Sequence, residues 1–213
     1  MNIADKLVTI AENEQKVYDA GKKAQYDLFW DTIQNKGGIR DHTYLFYNFP
    51  GELFNPKYNF RATYSTTNTL GYAFAMSTIT DMVKNTDCTN LYGTLNYTWY
   101  QCKNLVNART LIVVDRFDYS YAFYNCIELV EIRFSGTIGK NGLSFAQSTK
   151  LSKASIESVI NTLSVTTSGL TVTFSKTAVN KAFETSSGAN DGSTSTEWTT
   201  LRNSKSNWTI SLA

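Results

Sequence analysis

The stretch Tyr121-Ala122-Phe123-Tyr124-Asn125-Cys126-Ile127-Glu128-Leu129-Val130-Glu131-Ile132-Arg133-Phe134 decides how this chain is read. Its second half has the spacing L-x-x-L-x-L. Leu129, Ile132 and Phe134 are expected to point inward from a strand, with Glu131, Arg133 and Ser135 pointing out. Its first half recurs along the chain. Tyr72-Ala73-Phe74 and Thr98-Trp99-Tyr100-Gln101-Cys102 precede it, and Ser144-Phe145-Ala146 follows. The anchor aromatics Phe74, Trp99, Phe123 and Phe145 are spaced 25, 24 and 22 residues apart. One such turn cannot bury its own apolar face, but stacked turns bury a continuous column.

That interval falls in the range of leucine-rich repeats. The phrase from Tyr121 to Ile132 resembles the repeat of BspA-like leucine-rich-repeat proteins, in which an Ala-Phe pair, a Cys, a Leu and an Ile recur about every 23 residues. The likeness covers roughly residues 71–155. It implies an α/β repeat fold: a short leucine-rich-repeat solenoid with an N-terminal α-helical stalk and a helix–strand C-terminal cap. The expected divisions are a helical stalk over 1–36, an aromatic connecting segment over 37–70, and the solenoid over 71–213 with its cap from about residue 152.

Within the expected cap, Leu151–Leu163 reads as an amphipathic helix with Ile156, Val159, Ile160 and Leu163 on one face. Gly169–Phe174 alternates as a strand. A second helix is expected over Lys176–Phe183, a polar loop over 186–195, a short helix near Glu197–Asn203 and a last strand over Trp208–Leu212.

At the other end, Ile3, Leu7, Ile10, Glu14, Val17, Gly21, Ala24 and Leu28 follow alternating steps of four and three, the heptad seam of a coiled coil. Ile3, Leu7, Ile10, Val17 and Leu28 are the expected self-association residues, with a trimer favoured. The alternative is a helix lying on its own domain through Leu28, Phe29, Trp30 and Ile33. Gly37-Gly38 is a stop signal. The following segment is dense in aromatics without a helical or strand period. It is read as packed and irregular, with His42 a surface or capping residue.

Composition removes several functions. The chain has 213 residues, 42% of them hydrophobic, 18% charged, with a net charge of +2. A balance that near neutrality gives no field for nucleic acid. One histidine and three cysteines do not supply the usual zinc sets or histidine-based triads, so no metal and no cofactor are expected. Cys102 and Cys126 are expected to stack as small buried hydrophobes, with Cys88 leaving an odd count. Asp115, Asp118, Glu128 and Glu131 read as a solvated face rather than an opposed catalytic pair. Charges at Asp5, Lys6, Glu12 and Glu14 break any secretory apolar run, and no stretch reaches the roughly 20 apolar residues of a membrane span.

Tyrosines crowd residues 91–124. Exposed tyrosine is a rigid amphipathic contact surface. The candidate binding residues are Tyr97, Tyr100 and Tyr119 with the outward strand residues Asn107, Arg109, Glu131 and Arg133. The helix joined to such repeats looks like proteins encoded by phages and prophages of Gram-positive gut bacteria. The resemblance implies a non-enzymatic virion protein of the phage tail or baseplate, associated with other virion proteins and recognising a host-surface glycan or protein. The alternative is a bacterial cell-surface adhesin.

Overall fold

The computed structural model describes residues 20–21, 24, 43–51, 69–82, 85–89 and 94–213. The chain divides into two compact units, Met1–Gly38 and Ile39–Ala213. In the first, Ala20, Gly21 and Ala24 are helical. The seam residues Ile3, Leu7, Ile10, Val17 and Leu28 lie outside the described residues, as does His42.

The second unit is built on two three-stranded parallel sheets. The first contains β1 (Thr86–Asp87), β2 (Asn107–Val113) and β3 (Glu131–Gly136) in that order. Leu111 pairs with Phe134 across it, and Ala108, Leu111, Val113, Ile132 and Phe134 are buried. The second contains β4 (Ser144–Phe145), β5 (Leu170–Phe174) and β6 (Trp208–Leu212). Three α-helices interleave with it: α1 (Lys153–Thr162), α2 (Lys176–Ala182) and α3 (Thr196–Asn203). Each opens on a serine cap, Ser152, Ser175 or Ser195, whose side chain accepts a first-turn N–H. In α1 the apolar stripe expected from the sequence is the buried one: Ile156, Val159 and Ile160.

This architecture corrects the expected leucine-rich-repeat solenoid with its stalk and cap. The strands form two separate sheets of three, and no N-terminal helical stalk is evident among the described residues. The physical reason lies at β3. A further coil would present a strand to its free N–H groups. Instead α1 covers that edge: Ser155 Oγ accepts from Ile132 N–H at 3.0 Å and Ser158 Oγ from Phe134 N–H at 2.9 Å. Two serines on a helix do what the next strand would have done, so the first sheet stops at three. Gly136 ends β3 at φ +105°, where a Cβ would fall 1.9 Å from Val113 O.

The repeated aromatic phrase forms tight turns. Trp99 N–H donates to Ala122 O at 2.9 Å and Phe74 N–H to Thr98 O at 2.8 Å, so each turn is bonded to the next. Each also closes on itself, with Cys102 N–H donating to Trp99 O and Cys126 N–H to Phe123 O. The anchor rings pile in a column. Centroid separations are 5.2 Å for Phe46–Phe74, 5.8 Å for Phe74–Trp99, 5.1 Å for Trp99–Phe123, 5.1 Å for Phe123–Phe145 and 5.9 Å for Phe145–Phe174. Trp198 meets Phe174 edge-on at 6.3 Å. All these rings are buried. Stacked pairs of this kind contribute roughly 0.5–1.5 kcal/mol beyond the area they bury.

Candidate functional site

Beside the buried column runs a second stack, and it faces water. Tyr44, Tyr72, Tyr97 and Tyr121 stack in sequence at 4.8, 4.5 and 4.9 Å, with ring planes within 19° of parallel. Tyr100 and Tyr124 form a shorter row at 5.3 Å. The rows lean on each other edge to face or at a tilt: Tyr44 on Tyr47, Tyr97 on Tyr100 and Tyr121 on Tyr124. Tyr44 is 54% exposed, Tyr121 52% and Tyr124 42%.

The backbone holds these rings at a cost. Tyr44, Tyr72, Tyr97 and Tyr121 have φ of 58°, 57°, 54° and 57°. This left-handed region suits glycine and costs other residues about 1–2 kcal/mol each. Asn48, Met76, Gln101 and Asn125 repeat the same conformation four residues further on, with φ from 53° to 60°. Four times a tyrosine stands where glycine would relax the chain, and backbone strain of this kind is found at functional sites. The Tyr72 phenol is held above its ordinary pKa, first by burial and then by the neighbouring Tyr97 and Tyr44.

The tyrosine rows end at a pocket of about 450 Å³, lined in part by Tyr121, Tyr124, Ser120, Ser144, Ala146 and Gln147. The next turn retains its anchor ring, Phe145, but has Leu143 and Ala146 where the preceding turn has Tyr121 and Tyr124. Leu143 is buried and Ala146 carries no ring. Gln147 Oε1 accepts from Asn125 N–H at 2.7 Å. Ser120 Oγ donates to Asp118 at 2.6 Å.

The residues singled out from the sequence separate into three groups. Tyr97 and Tyr100 stand in the tyrosine rows. Asn107, Arg109, Glu131 and Arg133 come together on β2 and β3 but spend their polar groups locally. Arg109 makes a bidentate pair with Asp81 at 3.0 and 2.8 Å, and Asn107 Oδ1 accepts from Arg109 N–H at 2.9 Å. Arg133 reaches Glu131 at 3.1 Å and donates to Ser155 Oγ at 3.0 Å. Tyr119 is a correction. It is completely buried, meets Phe134 edge-on at 6.2 Å, and its hydroxyl has no hydrogen-bond partner among the described residues. Burial, with Cys88 beside it, raises its pKa well above that of a free phenol.

Tyr44, Tyr72, Tyr121 and Tyr124 were absent from the sequence-derived set. A signal for them exists. Tyr44, Tyr72, Tyr97 and Tyr121 each stand two residues before an anchor ring, and Tyr47, Tyr100 and Tyr124 one residue after it.

The cysteines are inward. Cys102 Sγ donates to Phe74 O and Cys126 Sγ to Trp99 O, both at 3.0 Å. Each thiol thus bonds the carbonyl of the ring one turn back. Burial pushes Cys102 up to about 12 and raises Cys88 and Cys126 as well. Thiols held this way are poor nucleophiles. Among the described residues no group of three or more His, Cys, Asp or Glu is placed to hold a metal ion, and no helix is long and apolar enough to cross a membrane. Of the carboxylates Asp115, Asp118, Glu128 and Glu131, the last three are dispersed onto Ser120, Lys150 and Arg133 respectively.

No protein-family model, no curated protein and no solved structure matches this chain.

Proposed function

We propose that this chain is a non-enzymatic recognition protein whose tyrosine rows contact the surface of a host cell, and that it is carried on a bacteriophage particle as a tail or baseplate component. One observation carries the recognition reading: four tyrosines are stacked face to face at the surface on strained, left-handed backbone. A fold that needed only stability would place glycine or asparagine at those φ values. Rigid tyrosines give contact area at small entropic cost and have a hydroxyl for polar partners. The phage setting is supported by the likeness of an N-terminal helix joined to such repeats to proteins encoded by phages and prophages of Gram-positive gut bacteria.

The test is a cell pull-down with the intact chain and with the double variant Tyr97→Ala/Tyr100→Ala. The variant should lose binding by roughly tenfold or more, with its melting temperature within a few degrees of the parent. Equal binding by parent and variant would move the contact away from the tyrosine rows and end this reading.

A further inference from the structure

We infer that the pocket where the tyrosine rows stop binds one neutral pyranose ring of a glycan, which continues the stack beyond Tyr121 and Tyr124. The inference rests on the recognition reading and names the chemistry of its ligand.

Three features of the pocket point to that class. First, an aromatic face is left over. Tyr121 and Tyr124 are each stacked on one side, by Tyr97 and Tyr100. No ring stands beyond them among the described residues, because Leu143 and Ala146 occupy the equivalent places. The two rings meet at 67° with centroids 5.9 Å apart and form two walls of the cavity. The face of an aromatic ring is its electronegative part, so it attracts the weakly positive C–H face of a sugar.

Second, hydrogen-bonding groups rim the same space. Tyr121 and Tyr124, which line it, each carry a hydroxyl. Gln147 uses its oxygen on Asn125 N–H, which leaves its NH₂ group as a donor with no partner among the described residues. Ser120 Oγ, whose proton goes to Asp118, adds an acceptor, and Ser144 adds a hydroxyl that accepts from Ala146 N–H. An apolar wall with a few placed polar groups, in a volume of about 450 Å³, is the usual make-up of a small-ligand site.

Third, the lining is uncharged among the described residues. Ser120, Tyr121, Phe123, Tyr124, Gly142, Ser144, Ala146 and Gln147 include no lysine, arginine, aspartate or glutamate. A nucleobase could stack on these rings, but its phosphate would have no cation to neutralise it. A uronate would bring an unpaired charge. A neutral hexose or N-acetylhexosamine fits both the faces and the charge.

The experiment titrates the full chain with maltotetraose, cellotetraose and tetra-N-acetylchitotetraose, with tetragalacturonate and a ten-nucleotide oligo-dT as charged comparisons. Binding is followed by calorimetry and tyrosine fluorescence. At least one neutral saccharide should bind saturably, and neither charged probe should. Ala146→Tyr places a ring where the sugar is expected, repeating what Tyr124 and Tyr100 already do one and two turns back. It should weaken saccharide binding by roughly tenfold or more. Gln147→Glu keeps the acceptor for Asn125 N–H but removes the NH₂ donor and adds a charge, so it too should weaken binding, and it stands in should Ala146→Tyr fail to fold.

Binding of oligo-dT or tetragalacturonate alone overturns the inference. So does saccharide binding that neither variant changes, or the absence of any saccharide binding. If saccharides fail while the pull-down still depends on Tyr97 and Tyr100, the recognition reading stands and its partner is a protein surface. If the pull-down ignores those tyrosines as well, both readings fall.

Discussion

The molecule contains two stacks of rings with almost the same geometry and opposite surroundings. The inner one, from Phe46 to Phe174, has centroids 5.1–5.9 Å apart and is sealed from water. The outer one, from Tyr44 to Tyr121, is tighter at 4.5–4.9 Å and reaches solvent. Between residues 44 and 123 both hang from the same turns, which neighbouring backbone bonds tie to one another. The lesson is that stacking distance does not measure stability. A sealed phenyl ring gains about 1.5–3 kcal/mol from leaving water. A ring that stays wet gains mainly the smaller stacking term, and here backbone strain of about the same size offsets it. The inner stack therefore holds the fold, and the outer one is free to serve as a surface.

The contrast breaks most directly at one turn. Phe123→Ala removes a ring held between Trp99 and Phe145 and should cost about 3–5 kcal/mol in urea unfolding. Tyr97→Ala removes a ring from the outer stack and should cost about 1 kcal/mol or less. Equal losses would make the two stacks one structural unit. A second test asks whether the inner stack depends on how its sheet is closed. Ser155→Val leaves Ile132 N–H buried without its acceptor and should cost about 1–3 kcal/mol. No loss would mean that α1 does not seal the edge of β3.

Tyr119 belongs to the inner side despite its type, and Tyr119→Phe sharpens that placement. The change removes a buried hydroxyl without a partner among the described residues, so the variant should match or exceed the parent by about 1 kcal/mol. A clear loss would show that the hydroxyl is bonded. The last effect is absent at neutral pH. Cys88, Cys102 and Cys126 have pKa values raised by burial, so the unfolded chain loses these protons before the folded one does. Stability is fully present below the unfolded thiol value near 9 and declines as pH rises from there toward about 12, the value to which Cys102 is pushed. Urea midpoints should be level from pH 7 to 8 and fall by pH 10, and native thiols should resist a thiol reagent at pH 8. A level midpoint through pH 10, or rapid thiol labelling, would place the cysteines in contact with water.

Much of the inner stack was legible because ring burial imposes a period. Phe74, Trp99, Phe123 and Phe145 could be aligned from spacing alone, and the stripe Ile156, Val159 and Ile160 marked its helix. Phe46 and Phe174 were not recognised as rungs. The first sits in a segment without a period, and the second reads only as the end of a strand. The larger miss was the way the sheet ends. Nothing in the type or spacing of Ser155 and Ser158 says that a helix will use them to satisfy the strand N–H groups of Ile132 and Phe134. A repeat reading extends a pattern until something stops it, and here the stop is two hydroxyls 23 and 24 residues downstream of the strand N–H groups they satisfy.

The site was legible in part. Tyr97 and Tyr100 were picked out by residue type. Type alone also brought in Tyr119, which is buried, and passed over Tyr121 two residues later, which is exposed. Asn107, Arg109, Glu131 and Arg133 alternate outward as expected, but Asp81 and Ser155 take up their polar groups, and those partners are distant in sequence.

The amino-acid sequence on its own determined the rhythm of this protein: where a ring must be buried, which stripe of the helix after Ser152 is apolar, and that three cysteines and one histidine supply little for metal chemistry. Tertiary structure decided which tyrosines face water, which serines close a sheet, and where the outer stack runs out beside a pocket. The physical reason is that burial of an apolar ring can be read from local spacing, whereas exposure and hydrogen-bond satisfaction depend on what another part of the chain brings alongside.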